Sequence, residues 1–127
     1  MSLSYFIQLL LFVILMCSGQ ILFKKTAIEL ATTGINNSNN LLYLLFNVLK
    51  IPYFFIALFI YGFATFYWLY LLQKIPLSLA YPFTALAMVI IPILSVYLFK
   101  EAVNLSYWIG AFLIFLGIII ISLKGVN

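Results

Sequence analysis

Charge and hydrophobicity are kept apart along this chain more strictly than any other property. Its eight charged residues, Lys24, Lys25, Glu29, Lys50, Lys74, Lys100, Glu101 and Lys124, all fall at or beyond the ends of four long apolar runs. A helix that crosses the hydrocarbon core needs about 20 consecutive, mostly apolar residues. Charges inside such a helix are costly unless paired. The pattern therefore predicts an all-α membrane protein with four transmembrane helices at about 3–24, 53–73, 78–99 and 106–123. With 68% hydrophobic residues over 127 positions, the bundle takes up the sequence as a single transmembrane domain, 1–127, and leaves no length for a soluble module.

The first run is read as a retained helix. It lacks a basic leading segment, is too long for a secretory signal, and is followed by no small-x-small cleavage site. Cys17, the sole cysteine, excludes an intrachain disulfide and suits a small packing position. The net charge of +4 fits contact with anionic headgroups. With no soluble basic face, nucleic acid is excluded as a partner. Lys24, Lys25, Lys50 and Lys100 lie on the face of the first and third loops, against Lys74 and Lys124 on the other. The bias by the positive-inside rule is weak.

The first connection is the longest. Residues 26–33 extend the helical pattern, Gly34 to Asn40 has turn chemistry, and 41–50 reads as an interfacial helix with Asn47 and Lys50 near its end. Pro52 suits the first turn of the next helix. The short second and third loops predict antiparallel helix pairs.

Catalysis finds no support in the residue set. There is no His, one Cys and two separated Glu, so neither a general base, nor a nucleophile-base pair, nor a metal cluster can be assembled, and no cofactor is expected. The informative residues are polar or helix-breaking ones within the spans. Pro82 and Pro92 predict bends in the third helix, because each removes a backbone hydrogen bond. Tyr81 and Thr84, beside the first of them, are placed on a polar crevice. Gln20 and Lys24 are four residues apart and share a helix face, with Lys25 adjacent, a plausible phosphate seat. Gly110 and Gly117 open one face of the fourth helix to a close neighbour, inside the bundle or across a dimer. Tyr61 and Tyr67 lie deep in the second helix as stacking surfaces, whereas Trp68 and Tyr70 read as boundary aromatics.

These residues resemble the drug/metabolite transporter superfamily, in particular its small four-helix members of the EamA-like and small-multidrug-exporter type. The features are Gly19-Gln20 followed by Lys24-Lys25, the entry Ile75-Pro76-Leu77-Ser78-Leu79-Ala80-Tyr81-Pro82, Lys100-Glu101 before the fourth helix, and the Gly110 to Gly117 spacing. The resemblance implies pairing through those glycines, as a homodimer or with a similar small subunit. Yet Met16 stands where the exporters carry their essential glutamate, Thr84 where they carry a tryptophan, and Leu86-Ala87-Met88 where they carry a glycine pair. Proton-coupled cation export is thereby disfavoured, since the site for cation and proton is missing.

The sequence is closer to the subfamily of flippase subunits for undecaprenyl-phosphate-linked aminoarabinose. That likeness implies a multi-pass protein of the bacterial inner membrane that moves a lipid-linked sugar. Its implied substrate residues are Gln20, Lys24, Lys25, Tyr61, Tyr67, Tyr81 and Thr84, with Lys100 and Glu101 ordering the third loop. Two alternatives stand beside it: export of a small neutral or cationic compound, and a non-transporting subunit that positions a glycolipid-modifying enzyme.

Overall fold

The computed structural model describes residues 3–32 and 41–124, and the turn-rich segment at 34–40 lies outside them. The elements are α1 (Leu3–Thr32), α2 (Leu41–Val48), α3 (Pro52–Leu72), α4 (Leu77–Phe83), α5 (Ala87–Phe99) and α6 (Leu105–Lys124), with a 3₁₀ turn at Thr84–Leu86. Four spans long and apolar enough to cross a membrane result: Leu3–Thr32, Pro52–Leu72, Leu77–Phe99 and Leu105–Leu123.

α1 does not stop near residue 24 but continues to Thr32. Nothing in Thr26–Thr32 breaks a helix, and the hydroxyls of Thr26 and Thr32 donate to the carbonyls of Leu22 (2.9 Å) and Glu29 (2.7 Å), so both are satisfied within the helix. Lys24 and Lys25 therefore stand on a continuous helix rather than on its frayed end. α2 buries none of its residues, and the Asn47 amide donates to the Tyr43 carbonyl at 2.8 Å. Pro52 opens α3, with Ile51 extended before it. After α3, the Ile75 N–H returns to the Leu71 carbonyl at 2.9 Å, and both side chains are buried, fixing the hairpin into α4.

The third span is divided. A 3₁₀ turn follows Pro82, while α5 continues through Pro92 without a break. Proline leaves the carbonyl four residues before it without an amide. For Pro92 that carbonyl is Met88, and the Tyr107 hydroxyl of α6 donates to it at 2.9 Å.

α1 packs mainly on α3. On α3 the buried residues are Ala57, Ala64 and Leu71, and on α1 they include Phe12, Gly19 and Thr26. Both sets repeat every seven residues, so each forms one stripe. Small residues in such stripes let helices approach closely in lipid, where association relies on packing. Leu9, Val13, Leu71 and Phe83 are fully buried in the core. Phe12 stacks on Trp68 at 4.7 Å, and Phe6 meets Phe83 edge-on at 5.6 Å. Trp68, partly buried, thus packs against the core at the α1 seam. α6 has only 11% of its span buried, which leaves most of its surface for lipid or another subunit.

Candidate functional site

The predicted residues separate into two groups. One gathers around Gly19. A Cβ there would come within 2.8 Å of Tyr61 Cδ2 and closer still to Cε2, so only glycine admits the ring. Tyr61 stacks on Phe23 at 5.1 Å, donates from its hydroxyl to the Met16 carbonyl at 3.5 Å, and meets the Gln20 side chain. One turn onward, the Lys24 ammonium lies 3.5 Å from the Glu101 carboxylate, and Lys25 sits 5.5 Å above the Tyr53 ring, within cation–π range. Gln20, Lys24, Lys25 and Tyr61 thus share one end of the α1–α3 pair.

Glu101 reaches this end through a local reversal. Lys100 has a left-handed backbone, φ 54°, and the N–H groups of Lys100 and Glu101 both point to the Ser95 carbonyl. The sequence pairs Glu101 with Lys100 in ordering the third loop; in the structure its carboxylate is turned across to Lys24, since the chain reverses between the two neighbours. Lys24 is accordingly an ion-paired cation and not a free one. Both side chains are close to half exposed, so the pair is worth at most about 1 kcal/mol and yields readily to a competing ligand.

Tyr67, Tyr81 and Thr84 belong to the other end. Tyr67 stacks on Tyr70 at 6.3 Å, and Lys74 donates to the Tyr70 hydroxyl at 2.6 Å while lying 4.4 Å over its ring. That hydrogen bond holds the Lys74 ammonium above the ordinary lysine value of 10.5, so it stays charged throughout the neutral range. Tyr5 of α1 lies within electrostatic reach of Lys74. From Tyr5 to Lys24, α1 rises about 28 Å at 1.5 Å per residue. Gln20 lies toward the Lys24 end of α1, whereas Tyr81 and Thr84 lie in the first turns of the third span, toward the Lys74 end. Phe83 turns inward onto Phe6, and Tyr81, two residues before it, points outward and is 66% exposed. The Thr84 hydroxyl donates to the Tyr81 carbonyl at 2.6 Å.

Between α1 and α5 lies a groove of about 420 Å³, lined by apolar side chains with Cys17 and Ser18. The Ser18 hydroxyl is taken up by the Ile14 carbonyl at 2.9 Å. No carboxylate lines this groove, so it offers nothing to balance a cation. On α6, a Cβ added at Gly110 or Gly117 meets nothing within 4 Å, so neither glycine is used for packing within the described chain. Sequence reasoning missed Tyr107 as the donor to the carbonyl that Pro92 leaves without an amide. Counting back four residues from Pro92 identifies the freed carbonyl, but the donor comes from another helix.

The fold and site define a small multi-pass helical membrane protein of transporter type, with cations at its mouths and an uncharged interior. The chain belongs to the EamA-like transporter family, whose profile matches residues 2–123. It is similar to the "Probable 4-amino-4-deoxy-L-arabinose-phosphoundecaprenol flippase subunit ArnE" of Proteus mirabilis, 29% identical over 94% of this chain and 97% of the relative. The same name is carried by relatives from Aeromonas salmonicida, 30% identical over 90% of this chain and 93% of the relative, and from Pseudomonas fluorescens, 37% identical over 56% and 62%. No solved structure gives a significant match. The chain is a multi-pass protein of the bacterial inner membrane.

Proposed function

We propose that the chain is one subunit of a flippase for an amino sugar linked to a polyprenyl phosphate, acting with a second copy or a similar small subunit. The observation that carries this reading is the Lys24–Glu101 pair, with Lys25 beside it. The cargo in the relatives' name joins a phosphate to a sugar bearing an amine, which is cationic at neutral pH. Lys24 and Lys25 offer the phosphate two positive charges, and Glu101 offers the ammonium its counter-charge. Both contacts are charge-assisted, the strong class of hydrogen bond. Binding exchanges the weak internal pair for two ligand pairs, so the seat is neither overfilled with charge nor left with an orphan. Gln20 and the Tyr61 hydroxyl add neutral partners for the sugar. The polyprenyl tail stays in lipid, which is as apolar as the tail.

The test is a reconstituted transfer assay. Vesicles carry the full chain and undecaprenyl-phosphate-linked aminoarabinose, and an impermeant amine reagent reads the sugar exposed outside. Lys24→Ala is expected to slow transfer about tenfold, the equivalent of one charge-assisted contact. Glu101→Gln is expected to slow the amino sugar by a similar factor while leaving a neutral-sugar analogue, read by its own oxidation chemistry, almost unchanged. Full activity of Lys24→Ala, or equal loss for both sugars in Glu101→Gln, overturns the reading.

A further inference from the structure

At the end of the bundle opposite Lys24, the structure assigns a second seat for the same glycosyl phosphate headgroup, built from Gln8, Tyr67, Tyr70 and Lys74. This inference rests on the flippase reading and extends it from one station to two.

Three observations support it. Lys74 is anchored through both its charge and its hydrogen bond to Tyr70, 4.4 Å above the ring and 2.6 Å from the hydroxyl. Two of its three ammonium protons remain for a ligand. Tyr67 and Tyr70 lie nearly parallel, 19° apart at 6.3 Å, and form an aromatic platform next to that cation. Gln8 supplies the third. Its Oε1 is buried without a hydrogen-bond partner, while its Nε2 reaches Ser4 at 3.4 Å.

The helix places these groups together. Tyr5, Gln8 and Phe12 occupy one stripe of α1 at intervals of three and four. Tyr5 lies within electrostatic reach of Lys74, and Phe12 stacks on Trp68. Gln8 falls between those two residues on the stripe, which puts it at the level of the final turns of α3. A buried amide oxygen without a donor is costly, and a sugar hydroxyl is a donor of suitable size. The aromatic platform takes the apolar face of the ring and Lys74 takes the phosphate. A headgroup released from Lys24 thus meets, about 28 Å further along α1, a seat with the same order of chemistry.

The test uses the full chain in phosphatidylcholine vesicles and two probes: farnesyl phosphate bearing a hexose, and farnesyl phosphate alone. In a Lys24→Gln background, which removes the first seat's phosphate contact, Lys74→Gln is expected to weaken both probes about tenfold, and Lys74→Arg to restore them. Gln8→Leu, which keeps volume, is expected to weaken only the hexose-bearing probe, several-fold. Lys24→Gln and Lys74→Gln together are expected to act independently, because the sites are far apart. If the wild-type chain binds the hexose-bearing probe but Lys24→Gln alone abolishes that binding, or if adding Lys74→Gln or Gln8→Leu to Lys24→Gln changes nothing further, this second seat is overturned and the first reading stands. If the wild-type chain binds neither probe, both fall.

Discussion

A single glycine fixes the site at the Lys24 end. The Tyr61 ring lies where a side chain of Gly19 would stand, is stacked on Phe23, and has its hydroxyl directed to the Met16 carbonyl. It cannot withdraw without losing both contacts. Gly19→Ala is therefore expected to destabilise the protein by about 1–3 kcal/mol, the range for overpacking, read as a lowered unfolding midpoint in detergent. In a Tyr61→Ala background the same change is expected to be close to neutral, since the clash has no partner. An equal cost in both backgrounds sinks this account. Much of this end was readable beforehand: Gln20 and Lys24 share a face by their spacing alone, and Lys25 follows. Glu101 was not, because its direction is set by the left-handed turn at Lys100, and no periodicity announces a positive φ at lysine.

At the level of elements, the spans were legible because lysines mark their ends, and the exclusion of charge from lipid admits few other arrangements. The continuation of α1 beyond the lysines rests on the same chain of reasoning. No Gly or Pro stands between Gly19 and Gly34, so the helix passes its lipid boundary with nothing to stop it. The interruption after Pro82 was readable from the proline, whereas α5 runs unbroken through Pro92, and the compensation there was not readable. Tyr107 supplies the proton that the Pro92 nitrogen cannot, and so fastens α6 to α5 at Met88. Tyr107→Phe leaves that carbonyl without a donor and is expected to cost about 1–3 kcal/mol in thermal unfolding. Pro92→Ala returns an amide to the carbonyl, and in that background Tyr107→Phe is expected to cost nearly nothing. A double-mutant cycle reads the coupling directly; additive losses would show that the hydroxyl does not serve the freed carbonyl.

Across the whole molecule, the two polar ends and the bare α6 describe something incomplete in one copy. Tyr81 points away from the chain, so on the proposed reading a path that it lines takes a wall from a second subunit. Gly110 and Gly117 lie on one face of α6, and nothing in the described chain approaches either. In lipid, a close-packing face of this kind is stabilised by helix contact rather than by the hydrophobic effect. Gly110→Leu with Gly117→Leu fills that face without touching the chain's own core, so folding is expected to survive while pairing is lost. Crosslinking in vesicles and mass measurement in detergent are expected to show a shift from dimer to monomer. Glycolipid transfer is expected to fall about tenfold or more with it, because each remaining mouth opens on lipid instead of on the opposite seat. A double variant that stays dimeric, or that transfers glycolipid as a monomer, would mean that the path is closed by some surface other than α6.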